Sequence, residues 1–244
     1  NAHLERLDGM KVNYARRLKV PEAGIQSGRK GLELTWKTDL PGQSIYFTRD
    51  SSSQAWDSAM SGDATLFVDP GHIYYKTDNS GIKEINYQPS KIRNATLSTS
   101  IPPSGSYPGR QGILTLGDGL TGKADFNGED WCAWNGDPFT IEVSFDSPTT
   151  IDSITLGLLS STGSWIHLPQ SVEIEGSKDM KTYERIDSRV PGNLPAGRNQ
   201  ITFRIPATSL KSLRITISPL KSIPEGKPGA GHTGWTFIDE IGVY

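Results

Sequence analysis

Residues 139–145 read FTIEVSF, and in this stretch apolar and polar side chains alternate at every position. A period of two is typical of a β-strand that buries one face and exposes the other. The same alternation recurs in residues 32–37, LELTWK, and in residues 171–176, SVEIEG. No convincing length of helical spacing follows residue 20, so the sequence predicts an all-β protein.

Length and composition narrow the possibilities further. The 244 residues predict one large domain or two small ones, and 26 glycines with 16 prolines predict many turns. The 25 basic and 27 acidic residues give a net charge of −2, which excludes nucleic-acid binding driven by bulk charge. No apolar run approaches the roughly 20 residues of a membrane helix, so no membrane span is predicted.

The first 20 residues are the one stretch with helical spacing. Apolar residues recur there at intervals of three and four, at Leu4, Leu7, Met10 and Tyr14. The pattern ends by Pro21, and so short a segment cannot bury much apolar surface by itself. We therefore interpret residues 1–20 as the remnant of a longer helical element.

Residues 21–103 are predicted to form a small β-sandwich. Leu40-Pro41-Gly42-Gln43 has the residues of a tight turn between two of its strands. A short run rich in Pro, Gly and Ser, residues 100–106, marks the domain boundary, which we place between residues 103 and 104. The strands are expected at residues 32–37, 44–48, 65–68, 72–76, 81–86 and 92–99.

Residues 104–244 are predicted to form a second sandwich, of the jelly-roll type with eight antiparallel strands. A turn at Ser147-Pro148 is expected to separate two of them. The strands are expected at residues 113–116, 139–145, 151–159, 171–176, 182–186, 200–205, 213–217 and 235–244.

Tryptophans are the most informative candidates for a binding site. Four of them lie in or beside loops of Gly, Asn, Ser and His, namely Trp131, Trp134, Trp165 and Trp235. An exposed indole packs against the C–H face of a sugar while polar neighbours hold its hydroxyls. The alternative, commoner in small sandwiches, is that these side chains fill the core. His167 and His232 either donate hydrogen bonds at such a site or are solvated loop residues.

Catalytic and metal-binding patterns are weaker. The single cysteine, Cys132, excludes an intramolecular disulfide, and its tryptophan neighbours predict a buried thiol. Asp239 and Glu240 are adjacent carboxylates inside a predicted strand, where neighbours point to opposite faces. They are therefore expected to be one solvent-facing carboxylate and one structural or metal-bound carboxylate, with acid–base catalysis as the alternative.

A glycine-rich segment, residues 117–122, reads GDGLTG. No helix follows it, so it lacks the helix N-terminus that a nucleotide-binding loop needs. Oxygen ligands in a tight turn suit Ca²⁺ better, and a plain tight turn is the other reading.

Residues 165–179, WIHLPQSVEIEGSKD, resemble the galactose-binding-like sandwiches also called F5/8 type C or discoidin domains. LGDG at 116–119 and GWTFIDEI at 234–241 extend the resemblance over about residues 107–244. The combination is similar to the C-terminal end of bacterial family 20 glycoside hydrolases, the β-N-acetylhexosaminidases or chitobiases. LERLDGMKVNY at 4–14 resembles the exit of that family's catalytic barrel, and IYFTRD at 45–50 its small Ig-like sandwich.

This resemblance implies a non-catalytic region. The family's catalytic acid lies in a (β/α)₈ barrel of about 250 residues, which an all-β chain of this length does not contain. The resemblance also implies a structural Ca²⁺ held by Asp118 and Glu240, and a secreted, periplasmic or outer-surface location.

Three functions follow as hypotheses. The first is binding of glycans that contain galactose or N-acetylhexosamine, through Trp131, Trp134, Trp165, His167 and Trp235. The second is a structural spacer that braces the catalytic domain of the parent chain. The third is an autonomous hydrolase that uses Asp239 and Glu240, which we do not expect.

Overall fold

The computed structural model describes Arg6, Gly9, Met10 and residues 21–244. The predicted barrel-exit remnant, residues 1–20, therefore lies outside the described residues apart from these three. Among them, Met10 donates its backbone N–H to the Arg6 carbonyl at 3.0 Å. The chain forms two compact units, one ending at Gln88 and the other beginning at Pro89.

The first unit contains two antiparallel sheets. One has the strand order β1-β2-β5 and the other β4-β3-β6-β7. The predicted strands between residues 32 and 86 are confirmed, whereas β1 and β4 carry no alternation that would have revealed them. The strands are β1 (Glu22–Gly28), β2 (Gly31–Lys37), β3 (Ile45–Thr48), β4 (Asp57–Ala59), β5 (Ala64–Phe67), β6 (Gly71–Lys76) and β7 (Lys83–Tyr87).

Trp36 is the centre of the core of this unit. Its ring is buried and stacks on Phe47 with 5.1 Å between ring centroids. The indole Nε1 donates to the Thr65 hydroxyl at 2.9 Å, which satisfies its single polar atom. The predicted turn is also present: Gln43 N–H donates to the Leu40 carbonyl at 3.2 Å.

The second unit is a β-sandwich of eight strands with short 3₁₀-helices at Lys91–Asn94, Leu114–Gly117 and Thr162–Ser164. Within the described part of the chain, no helix has the length and apolarity that a membrane crossing requires. The strands are β8 (Ala95–Thr99), β9 (Arg110–Ile113), β10 (Cys132–Asn135), β11 (Phe139–Ser160), β12 (Ser171–Ser177), β13 (Glu184–Arg189), β14 (Gly197–Ser218) and β15 (Trp235–Val243).

Two long strands, β11 and β14, run through both layers of the sandwich. The first half of β11 pairs with β8, and its second half pairs with β15. Register shifts between Ser144 and Thr149 mark the change of layer. The prediction of separate strands around a Ser147-Pro148 turn is therefore wrong, because Pro148 lies at an irregularity inside one continuous strand, where a missing N–H is tolerated.

The division between the units differs from the predicted one after residue 103. β8 pairs with β11 over five positions and so belongs to the second unit. The Pro/Gly/Ser run at 100–106 is a loop within that unit, in which Ser104 N–H donates to the Ala133 carbonyl at 2.8 Å. A composition break thus marked a loop, and the pairing of β8 sets the boundary at Gln88.

Candidate functional site

Several loops of the second unit meet at one end of the sandwich. Ser160, the last residue of β11, pairs with Gly197, and Ser218, the last residue of β14, pairs with Ser171. The loops of residues 161–170 and 219–234 leave from these strand ends. The first loop joins the end of the second directly, because Ile166 forms a parallel bridge with Trp235. The second loop is closed at its base, since Gly234 N–H donates to the Leu220 carbonyl at 2.9 Å.

Trp165 lies in the first of these loops with a left-handed backbone, φ +62°. A bulky residue rarely adopts this conformation, which costs about 1–3 kcal/mol. Hydrogen bonds on both sides hold it there: its N–H donates to the Thr162 carbonyl at 3.1 Å, and its carbonyl accepts the Trp235 N–H at 2.8 Å. The side chain is 37% exposed, the most accessible tryptophan that the sequence had singled out.

The second loop packs against this indole. His232 stacks on it with 5.0 Å between centroids and 15° between planes. Gly229 also lies against it: a Cβ built there would approach the indole Cε2 to 2.5 Å, and the backbone φ is +79°. Only glycine fits on both counts. A hydrogen bond within this loop stabilises it: Ile223 N–H donates to the His232 carbonyl at 2.8 Å.

His167 is buried beside the same loop. It is 9% exposed, and among the described residues its Nε2 has no hydrogen-bond partner. Its backbone N–H donates to the Trp235 carbonyl at 2.8 Å. Burial, and then the Lys227 ammonium, lower the pKa of the imidazole, which favours the neutral ring. A buried ring nitrogen without a partner is a group that a ligand can satisfy.

The other predicted platforms lie elsewhere. Trp131 is 0% exposed and donates its Nε1 to the Lys123 carbonyl at 3.0 Å. Trp134 is 3% exposed and stacks on Phe139 at 4.2 Å. These two are core residues, which corrects the expectation that they face a sugar. Trp235 is partly buried, with Tyr107 against it in an edge geometry at 5.6 Å.

Sequence reasoning missed Gly229 and Lys227. Both lie in residues 226–232, GKPGAGH, of which only His232 was named as a candidate. The density of glycine was the available signal, because a chain that must approach an aromatic face closely often needs a residue without a Cβ.

The two predicted calcium ligands do come together. The backbone N–H of Gly119 donates to both carboxylate oxygens of Glu240, each at 3.2 Å. Asp118, the neighbour of Gly119, is 2% exposed and accepts the Leu120 N–H at 2.8 Å. Arg110 Nη1 donates to the other oxygen of Asp118 at 3.0 Å.

Asp239 is a buried, hydrogen-bonded carboxylate of the same region. It is 0% exposed and accepts Arg198 Nε at 2.5 Å and the Gly122 N–H at 2.7 Å. A Cβ at Gly157 would collide with it, so the carboxylate occupies a space shaped for it. Asp239 agrees with the prediction of one structural carboxylate, whereas Glu240 is not the freely solvent-facing one that was expected, because it is partly buried and accepts the Gly119 N–H.

Carboxyl groups outnumber guanidinium groups in this cluster. Arg110 bridges Asp118 and Asp130, and Arg198 pairs with Asp239. Burial raises the pKa of Asp118 to about 7. Burial, then the charges of Asp118 and Asp239, raise the pKa of Glu240 well above its usual range.

The donor set fits Ca²⁺ in part. Ca²⁺ binds carboxylate oxygens such as those of Asp118 and Glu240, but it needs six to eight oxygen ligands in total. Across residues 21–244, no three side chains of His, Cys, Asp or Glu are grouped to hold a metal, so backbone carbonyls would have to complete the shell.

Comparison with known proteins gives one family match. The model for the F5/8 type C domain matches residues 94–241. No curated protein sequence matches the chain.

Several solved structures are similar to part of the chain. The module CpGH89CBM32-5 of Clostridium perfringens, in complex with GalNAc-β-1,3-galactose, is 14% identical with a TM-score of 0.41, over 63% of this chain and 96% of that one. Chitosan-binding module 1 of a Paenibacillus chitosanase/glucanase is 17% identical with a TM-score of 0.39, over 62% and 95%. The C-terminal domain of a Bacteroides fragilis chitobiase is 17% identical with a TM-score of 0.38, over 62% and 93%.

Proposed function

The chain belongs to the F5/8 type C domain family through residues 94–241, and from this premise we propose that its second unit binds a glycan at the loop end that carries Trp165. One observation carries the proposal: Trp165 is held in a left-handed conformation with its indole partly exposed. Backbone strain of this kind persists where the surrounding structure fixes it, and it is concentrated at functional sites.

The arrangement suits a sugar ring. Gly229 and His232 support the indole, so that it is positioned before the ligand arrives. The accessible part of the ring then packs against the C–H face of the sugar. His167 lies in the same loop as Trp165, and its Nε2, which has no partner among the described residues, gives the site a polar group for a hydroxyl.

We propose galactose or an N-acetylhexosamine as the sugar, because these are the ligands that the galactose-binding-like resemblance implies. Isothermal titration of the 244-residue chain with galactose, N-acetylgalactosamine and N-acetylglucosamine tests this. Heat of binding with at least one of them is expected. No heat at high millimolar concentration would leave a structural spacer as the better account.

We further propose that the parent protein is a secreted or surface-exposed β-N-acetylhexosaminidase and that this region contributes no catalytic residue. The order of a small sandwich followed by an F5/8 type C sandwich supports this, together with the barrel-exit motif at 4–14. Hydrolysis of a chromogenic N-acetylglucosaminide by the full-length protein, and its absence in the 244-residue chain, is expected. Turnover by the 244-residue chain would contradict the proposal.

We also propose that Asp118 and Glu240 hold a structural Ca²⁺. The excess of carboxyl groups over guanidinium groups supports this, because a divalent cation would stabilise their ionised forms. Thermal unfolding with Ca²⁺ and with a chelator tests it, and a higher Tm with Ca²⁺ is expected. The increase should disappear in Asp118→Asn, and an equal increase in that variant would argue against the site.

A further inference from the structure

A cavity lies at the edge of the sandwich, away from Trp165. It has a volume of about 540 Å³ and is lined by residues of β13, the end of β12, the turn between these two strands and the middle of β14. Gly176 lies at the end of β12 remote from the loop of Trp165. With about 3.3 Å per residue along a strand, the cavity is well separated from that loop. Volumes of 300–1,000 Å³ are typical of small-molecule sites.

Aliphatic side chains make up one part of the lining. They come from β13 and from the bend of β14. Two of them pack over Gly176, where a Cβ would approach Ile186 Cδ1 to 2.7 Å and Leu210 Cδ1 to 2.8 Å. The result is an apolar surface that suits the carbon skeleton of a ring. Its residues are Ile186, Ile205, Pro206 and Leu210.

Two of the three acidic residues that line the cavity are already hydrogen-bonded. Asp179 accepts the N–H groups of Lys181 and Thr182, each at 2.8 Å, and these bonds lower its pKa to about 2. Asp187 accepts its neighbour's N–H at 2.7 Å and Arg189 Nε at 3.1 Å. Glu184 is the one acid of the lining without such a partner among residues 21–244.

The basic residues of the lining, in contrast, have no close ion-pair partner within the described chain. Lys178 and Arg204 are exposed and form no ion pair within the described chain. Arg185 has only a long contact to Glu173, 3.7 Å, with both side chains exposed. The cavity therefore offers more free positive than free negative charge, beside an apolar surface.

We propose that this cavity binds an anionic sugar, with its carboxylate or sulfate held by Lys178 and Arg204 and its ring against Ile186 and Ile205. A guanidinium and an ammonium both form strong charge-assisted hydrogen bonds with such groups. The aliphatic surface takes the C–H face of the ring. This site is distinct from the loop end of Trp165 and does not depend on it.

The test is a titration of ¹⁵N-labelled 244-residue chain with D-glucuronate, D-glucose 6-sulfate and D-glucose. Amide shifts in β13 and the bend of β14 are expected with one or both anions and not with D-glucose. The variant Lys178→Gln/Arg204→Gln should bind the anion about tenfold more weakly or worse, given the strength of hydrogen bonds to charged groups. The control Lys30→Gln/Lys123→Gln, which removes two exposed charges elsewhere, should bind as the wild type does.

A Trp165→Ala variant separates this proposal from the preceding one. It should bind the anion unchanged, whatever it does to binding at the loop end. The proposal is overturned if neither anion shifts these amides at high millimolar concentration, or if D-glucose binds equally well. It is overturned equally if the double variant keeps full affinity or the shifts map to the loop of Trp165.

Discussion

The backbone N–H of Trp235 donates to the carbonyl of Trp165 at 2.8 Å. This bond joins the first residue of the last strand to a loop residue in the left-handed conformation. A second hydrogen bond runs in the opposite direction, because the Trp235 carbonyl accepts the His167 N–H at 2.8 Å. The strand thus fixes both loop residues on which the proposed glycan site depends.

Gly229→Ala should disrupt the platform. The new Cβ would meet the indole of Trp165 at 2.5 Å, so that the loop or the ring must move. We expect glycan affinity to fall about tenfold, the scale of one well-packed aromatic contact, as measured by isothermal titration.

Gly231→Ala is the matched control for this change. Gly231 also has a positive φ, +83°, but open space around its Cβ position. Both variants should lose about 1 kcal/mol of stability to backbone strain, and only Gly229→Ala should lose affinity. Equal affinities would show that the contact of Gly229 with Trp165 has no part in binding.

The stability of the metal-free protein should fall as the pH rises from about 4 to about 7. Asp118 has a pKa of about 7 when folded and an ordinary value of 3.8, so over this range the folded state keeps a proton that the unfolded state releases. Proton uptake on folding makes the free energy of unfolding decrease with pH until Asp118 ionises in both states. Urea denaturation at several pH values in the presence of a chelator measures the slope.

Asp118→Asn should flatten this dependence, whereas Asp137→Asn, which changes an exposed aspartate of the same unit, should not. A slope that is the same in wild type and Asp118→Asn would mean that the charge of Asp118 is neutralised by Arg110 alone.

Arg198→Met should destabilise the second unit strongly. The substitution leaves the buried carboxylate of Asp239 without its ion-pair partner, which costs about 3–5 kcal/mol in comparable buried pairs. Arg185→Met, which removes an exposed pair at 3.7 Å, should cost under about 1 kcal/mol. Urea denaturation compares the two, and similar losses would show that the Arg198–Asp239 pair is not structural.

Local alternation predicted the strands well where one face is buried. Phe139, Ile141 and Val143 are all buried, as FTIEVSF indicated. The turn prediction at Pro148 was wrong, because a local turn signature cannot reveal that β11 and β14 continue to pair on both sides of an irregularity. Strand β1 was missed for a related reason: pairing with β2 along its whole length, and not its own pattern, makes it a strand.

The site was predicted only in part, because burial of a tryptophan is set by distant partners. Trp131 and Trp134 flank Cys132, whose register partner is Ile238 in β15, and this pairing places both indoles in the core. Trp165 lies outside any strand and stays accessible. The meeting of Asp118 with Glu240 was expected only from the family resemblance, as the two are distant in sequence and joined through Gly119.

The most direct test compares glycan titrations of wild type, Trp165→Ala and Trp56→Ala, using whichever sugar of the panel binds the wild type. Trp56 is a partly buried tryptophan of the first unit, so its removal controls for the loss of an indole. We predict that Trp165→Ala reduces the affinity by tenfold or more, about 1.4 kcal/mol, while Trp56→Ala leaves it unchanged. Unchanged affinity in Trp165→Ala would contradict the assignment of the site.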